Sequence, residues 1–291
     1  MNLELKFIGK SGSIKKIRED FPQLSRLSRI LITGEPGTGK SLAARLIHES
    51  SKSHTKLLTL HPSSSHEENI TEAFKSLTAN TTLLIQGIEE FPFVSQGNIA
   101  QHLNTLHKKH ASQIIVTSKK NIQELKKEGG LLKDIYEILR TFHTITIPPL
   151  NKRTEDIPLL VEHFIKNACE SVGTKLKVID INALDFLIRR EWKGNVLELK
   201  SVIEKTVLTS DKKTIELPDY LIDEYAQFEG IISNIKEKKS FPFDKSLSNL
   251  EKTLIEKTLE AVGYHQAKAA ELLNITPENL RYRLRKFKIQ F

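Results

Sequence analysis

The run Gly34-Glu35-Pro36-Gly37-Thr38-Gly39-Lys40-Ser41 constrains this chain more than any other feature. Apolar Arg29-Ile30-Leu31-Ile32-Thr33 precedes it and Leu42-Ala43-Ala44-Arg45-Leu46-Ile47 follows. That order, strand then glycine loop then helix, is the context a G-x-x-x-x-G-K-[ST] phosphate loop requires. Its glycines let main-chain N–H groups close around phosphate oxygens, and the positive end of the following helix adds to the attraction. Lys40 then reaches the β- and γ-phosphates, and the Ser41 hydroxyl ligates Mg²⁺. The expected contacts are Gly34, Glu35, Pro36, Gly37, Thr38, Gly39, Lys40, Ser41 and Leu42, with ATP or ADP and Mg²⁺ as cofactors. The alternative, a chance glycine-rich turn, is opposed by both flanks.

A chain of 291 residues has room for two or three domains, each with its own core. An apolar fraction of 38% suits a folded protein rather than a disordered one. No apolar run reaches membrane-spanning length, and Met1-Asn2-Leu3-Glu4-Leu5-Lys6 lacks a signal-peptide core. The lone cysteine, Cys169, rules out a disulfide framework and fits a reducing, cytoplasmic setting, where it packs on a helix. The ten histidines show no metal-ligand spacing, so no metal is expected beyond that of the nucleotide.

Short apolar runs alternate with amphipathic stretches up to Pro149, the pattern of a mainly parallel sheet with crossover helices. The expected strands are Ile30–Thr33, Leu57–Leu60, Thr82–Gln86, Gln113–Thr117 and Thr144–Ile147. Spacings such as Leu42, Leu46 and Ile99, Leu103, Leu106 mark helices between them. Residues 1–149 form this α/β subdomain. Residues 150–216 then read as a helical lid, helical throughout from Asp156 to Leu208, with Leu159, Leu160, His163 and Phe164 on one face. Two further lid helices cover Asn182–Arg190 and Val196–Thr209, the latter with Val196, Leu199, Val202, Ile203 and Val207 on its stripe. Residues 217–245, rich in Lys and Ser, read as a linker.

The net charge of +8 is concentrated at the C-terminus: Lys268, Arg281, Arg283, Arg285, Lys286 and Lys288 face only Glu271 and Glu278 after residue 264. Such a patch on one element is a footprint for nucleic acid. Residues 246–291 open with a helix bearing Leu247, Leu250, Leu254, Thr258 and Val262. A short helix Gln266–Leu273, the turn Asn274-Ile275-Thr276 and a final helix Pro277–Phe287 follow, a helix-turn-helix pattern. Leu280 and Leu284 face inward, while Asn279, Arg281, Tyr282, Arg283, Arg285 and Lys286 face out. A solvated basic cap is the alternative, opposed by the small Ala267, Ala269 and Ala270 and by Leu272-Leu273, which suit close helix packing. Base readout falls first to Arg281, then Asn279; Lys268, Lys286 and Lys288 hold phosphates. The candidate DNA contacts are Lys268, Thr276, Asn279, Arg281, Tyr282, Arg283, Arg285 and Lys286.

Together the loop and the tail resemble the sigma-54-dependent transcription activators (bacterial enhancer-binding proteins). The matching stretches are Phe7-Ile8-Gly9-Lys10-Ser11, Pro148-Pro149-Leu150-Asn151-Lys152-Arg153-Thr154-Glu155-Asp156-Ile157-Pro158-Leu159-Leu160, Trp192-Lys193-Gly194-Asn195-Val196-Leu197-Glu198-Leu199, and Ala267 to Ile289. The resemblance implies an AAA+ P-loop NTPase core with a parallel sheet, a small helical lid and an all-α Fis-like helix-turn-helix domain at the C-terminus.

Several positions depart from the family. Its metal-orienting aspartate and water-polarising glutamate, the Walker B pair, correspond to Gln86 and Gly87, which can do neither job. Glu89 and Glu90 would have to bend back to substitute. The first sensor asparagine falls at Lys119, the asparagine restraining the catalytic glutamate at His61, and the second sensor arginine at Leu197. The trans-acting arginine region aligns with Leu131–Arg140, where Arg140 is the only arginine. Losing an arginine finger alone costs about 10³–10⁵ in rate. The Gly-Ala-Phe-Thr-Gly-Ala loop that touches the sigma factor has no counterpart in Ser63–Asn80, and no sensory domain is expected before the P-loop domain.

No catalytic residue is therefore assigned. The expectation is a regulator of double-stranded DNA that holds nucleotide as a scaffold, dimerises through its C-terminal domain and assembles through its AAA+ faces. Two alternatives stand: an active AAA+ ATPase working on RNA polymerase with sigma-54, or an inactive subunit that joins a mixed ring and restrains an active relative.

Overall fold

The computed structural model describes residues 7–51, 53, 55–106, 112–210, 212–215, 248, 251–252, 254–256, 258–259, 262–287 and 289. The chain divides into two compact units, Met1–Leu217 and Pro218–Phe291.

The first unit opens with α1 (Gly12–Leu24), capped by the Ser11 hydroxyl, which accepts from Ile14 N. Strands and helices then alternate: β1 (Arg29–Thr33), α2 (Lys40–Ser50), β2 (Lys56–Leu60), α3 (Glu67–Lys75), β3 (Thr81–Ile85), α4 (Phe93–Thr105), β4 (Gln113–Ser118), α5 (Ile122–Lys127), α6 (Lys133–Leu139) and β5 (His143–Thr146). All five strands are parallel, in the order β2-β3-β4-β1-β5. Each lies within one residue of its expected bounds.

Because β1, β3 and β4 are covered on both faces, they read as unbroken apolar runs, yet the pleat still sorts their side chains. Leu31, Leu83, Ile85, Ile114 and Val116 pack with α3 to α6, while Ile30, Ile32, Leu84 and Ile115 pack with α1 and α2. Burying each such side chain contributes about 1.5–3 kcal/mol. The crossovers leave the loops after β1, β3 and β4 together at one edge of the sheet, where open α/β sheets bind ligands.

Two 3₁₀ turns, Leu150–Lys152 and Thr154–Asp156, lead into α7 (Ile157–Ser171), with Pro158 in its first turn where a missing N–H costs nothing. Then come β6 (Val178–Ile179), α8 (Ile181–Arg189), α9 (Asn195–Thr209) and β7 (Thr214–Ile215). The lid is thus not helical throughout: β6 and β7 form a parallel two-stranded ladder, with Val178 opposite Thr214. The core face of α7 also differs from expectation. Ile157, Leu160, Val161, Phe164 and Ile165 are buried, while Leu159 is exposed and His163 half-buried. Cys169 is buried on α7, as expected.

In the second unit, α10 (Gln266–Leu272) and α11 (Pro277–Lys286) pack with a preceding helical stretch around Ile255, Leu259, Ala269, Ala270, Leu280 and Leu284. The buried stripe of that stretch runs through Ile255 and Leu259. Leu254 is exposed and Thr258 half-buried; Leu247 and Leu250 lie outside the described residues, as do 217–245. Ala267 and Leu272 are exposed, so close packing falls to Ala269 and Ala270.

Candidate nucleotide site and nucleic-acid face

The phosphate loop leaves the end of β1 and enters α2. Its start is pinned to the sheet, since Gly34 N donates to Ser118 O at 3.2 Å. Thr38 is buried and its hydroxyl donates to Glu35 O at 2.8 Å, closing the loop on itself. Lys40 Nζ donates to Gly34 O at 2.6 Å and Glu35 O at 2.8 Å, so its ammonium lies across the mouth of the loop. Burial holds the Lys40 pKa below the ordinary lysine value, opposed by the negative charges of Glu89, Glu90 and Glu35. A desolvated ammonium without a direct carboxylate partner suits an incoming phosphate. Ser41 is half-buried in the first turn of α2, the helix that the Leu42, Leu46 spacing marks; Leu42 is exposed there and Leu46 is buried.

Lid residues support this loop from behind, through contacts no local sequence pattern announces. Asn195 is fully buried in a left-handed conformation, which asparagine tolerates better than most residues. Its Oδ1 accepts Leu150 N at 2.7 Å, while Nδ2 donates to Pro36 O at 3.0 Å and Glu35 Oε2 at 3.1 Å. Leu197 N donates to Gly37 O at 3.2 Å. Buried Arg153 donates through a guanidinium nitrogen to Thr38 O at 2.8 Å; burial lowers its pKa, opposed by Asp156. These residues stood inside the quoted family stretches, but their spacing gave no sign of which loop they would hold.

The end of β3 carries Gln86 and Gly87, with Gln86 N donating to Leu60 O at 3.0 Å and Gly87 N to Thr117 Oγ1 at 3.0 Å. A 3₁₀ turn over Ile88–Glu90 then returns Glu89 toward β4, where its Oε1 accepts Lys119 N at 2.8 Å. His61 is exposed beyond β2, and Arg140 is exposed and paired with Glu137 at 2.8 Å. Between Leu60 and Thr81 the chain holds a 3₁₀ turn, Pro62–Ser64, and α3. Among the described residues there is no cluster of His, Cys, Asp and Glu suited to a metal, and no helix long and apolar enough to cross a membrane.

On α11, Pro277 takes the first position and Thr276 Oγ1 accepts Asn279 N at 3.2 Å. Lys268, Arg281, Tyr282, Arg285 and Lys286 are exposed, and Leu280 and Leu284 are buried as expected. Arg283 departs from expectation. It is half-buried, its Nε donates to Asn279 Oδ1 at 3.0 Å, and its guanidinium pairs with Glu251. Glu251 also pairs with Lys286 at 3.5 Å. Arg283 and Asn279 therefore hold each other, and Arg281, Tyr282 and Arg285 form the open outer face.

Three domain families match the chain: the sigma-54 interaction domain over 8–150, the AAA+ ATPase lid domain over 151–229, and the Fis family of bacterial regulatory proteins over 246–287. The chain is 27% identical over 340 residues to the DNA-binding transcriptional regulator NtrC of Azospirillum brasilense, covering 99% of this chain and 70% of that protein. It is 33% identical over 231 residues to an NtrX-like response regulator of Rickettsia typhi, covering 71% of this chain and 48% of that protein. The solved structure of NtrX from Brucella abortus in complex with ATP superposes with a TM-score of 0.66 at 22% identity, covering 98% of this chain and 70% of that one. The fold is that of an AAA+ core with a lid and a C-terminal helix-turn-helix. The chain belongs to the sigma-54-dependent activator family, and it spans 48% to 70% of the length of these relatives.

Proposed function

We propose that this chain is a sequence-specific DNA-binding transcriptional regulator that holds ATP or ADP without appreciable turnover, using its AAA+ unit as a nucleotide-responsive scaffold in the cytoplasm. One contrast carries the reading: a complete phosphate loop faces a β3 end where Gln86 and Gly87 replace the acidic pair of the family. Lys40 would bind the β- and γ-phosphates, and Ser41, a hard oxygen donor, would ligate the Mg²⁺ that neutralises their charge. Gly87 offers no group to take a proton from water, and Leu197 offers no cation to the γ-phosphate. The span between Leu60 and Thr81, filled by one 3₁₀ turn and α3, supports a chain without the loop that touches the sigma factor. Dimerisation through the C-terminal domain would set two α11 helices into successive major grooves.

The test pairs equilibrium ATP binding with phosphate release. Wild type should bind ATP, Lys40→Ala should bind at least tenfold more weakly, and phosphate release by wild type should equal that of the Lys40→Ala control. Steady release above that control would overturn the reading.

The DNA face has its own expected result. Arg281→Ala should cost about 1–3 kcal/mol on the preferred sequence and little on others, as loss of a base contact does. Lys286→Ala should weaken all sequences alike and lower the salt slope by about one. Binding measured on selected and scrambled duplexes decides it; equal losses from Arg281→Ala on both would contradict the role.

A further inference from the structure

The loss of the acidic pair at the end of β3 coincides with a rearrangement just beyond it. Gly87 adopts a left-handed conformation with φ of 61°. Buried Ile88 anchors the 3₁₀ turn in the core, and the turn brings the Glu89 carboxylate back across the end of β4. There Oε1 accepts Lys119 N. The neighbouring carbonyl, Ser118 O, accepts Gly34 N at the root of the phosphate loop, and Gly34 O accepts Lys40 Nζ. Glu89 and Lys40 are thus linked through the junction of β4 and the loop. Of the negative charges that act on Lys40, Glu89 exerts the largest effect.

The second oxygen is the informative one. Glu89 Oε2 is buried and has no hydrogen-bond partner among the described residues. A hidden, unpaired carboxylate oxygen costs on the order of 1–3 kcal/mol or more, so native folds rarely leave one without a use. Hard oxygen is what Mg²⁺ takes from protein side chains. We propose that Glu89 supplies the carboxylate toward nucleotide-bound Mg²⁺ that Gln86 cannot, with Oε1 fixed by Lys119 N and Oε2 presented to the metal or to one of its waters. The inference rests on the reading that the loop binds nucleotide. It requires no hydrolysis: a carboxylate that holds the metal beside Gly87 tightens binding without cutting.

The test measures ATP affinity in Mg²⁺ and in EDTA for wild type, Glu89→Gln, Glu89→Asp and Glu90→Gln, with thermal melts to establish folding. Glutamine preserves the shape of Glu89 and its bond to Lys119 N but removes the charge. Wild type should gain affinity on adding Mg²⁺. Glu89→Gln should lose about 10-fold or more of that gain, the range seen when groups orienting a metal are removed, while its affinity in EDTA is equal or higher. Glu89→Asp should retain more of the gain than Glu89→Gln, and Glu90→Gln, whose charge also acts on Lys40 but whose carboxylate is not fixed by Lys119 N, should retain more of it than Glu89→Gln. A wild type that gains affinity with Mg²⁺ beside a folded Glu89→Gln that gains as much would overturn the assignment. A wild type that binds no better than Lys40→Ala in either condition would instead overturn the nucleotide reading.

Discussion

Replacing Asp156 by alanine is expected to destabilise the first unit by about 3–5 kcal/mol, the range for removing one partner of a buried charged network. Asp156 is fully buried at the junction between the sheet and the lid. Its Oδ1 accepts Lys10 N at 2.6 Å and Ser11 N at 2.7 Å, and its Oδ2 accepts the Ser11 hydroxyl at 2.7 Å. Alanine leaves the Lys10 and Ser11 N–H groups without an acceptor, deprives the Ser11 hydroxyl that caps α1 of its shorter partner, and removes the negative charge beside buried Arg153. Asparagine should cost about half as much, on the order of 1–2 kcal/mol, because its amide oxygen still accepts the two backbone N–H groups and the Ser11 hydroxyl can rotate to accept. The single tryptophan, Trp192, is buried in the lid with its indole N–H on Leu187 O at 2.9 Å, so its fluorescence reports unfolding in urea. A midpoint for Asp156→Ala equal to that of wild type would remove Asp156 from the account of how the lid is attached.

That network also marks the boundary of what the sequence could reveal. The strands were legible because parallel strands covered on both faces must be short unbroken apolar runs, and β1, β3 and β4 are just that. The phosphate loop was legible because its chemistry requires residues adjacent in the chain. Contacts spanning a hundred residues or more have no local period. Asp156 with Ser11, Arg153 with Thr38, and Asn195 with Pro36 join positions 145, 115 and 159 residues apart. The β6–β7 ladder was hidden for a different reason: two-residue strands leave no alternation to count. On α11 the inward leucines followed from helical spacing, but the turn of Arg283 toward Glu251 depended on a residue of a different helical stretch. Glu89 is the functional case: its distance along the chain from the usual acidic pair argued against it, and a left-handed glycine followed by a 3₁₀ turn supplies the bend it needed.

Replacing Gly37 by alanine is expected to cost on the order of 3 kcal/mol and to weaken ATP binding as severely as Lys40→Ala. Gly37 has φ of 77°, and a Cβ there would lie 2.1 Å from the carbonyl oxygen of Gly194, a backbone atom that cannot swing aside. The left-handed conformation alone costs a residue with a Cβ about 1–3 kcal/mol. Relieving the overlap also requires the loop or the lid turn to shift, which strains the hydrogen bond from Leu197 N to Gly37 O and the two that Asn195 Nδ2 donates to Pro36 and Glu35. Gly39 provides the internal comparison. Its φ of 106° carries a similar conformational cost, but a Cβ would meet only Phe7 at 3.8 Å, ordinary van der Waals contact. Gly39→Ala should therefore lose only the conformational share, leaving Gly37→Ala lower in stability by about 1–2 kcal/mol, the share of a strained buried hydrogen bond. Urea unfolding of the two variants followed by Trp192 fluorescence, with ATP binding on each, separates strain from collision. Equal stability of the two would mean that the lid turn yields freely, and that the loop does not depend on Asn195 and Leu197 for its shape.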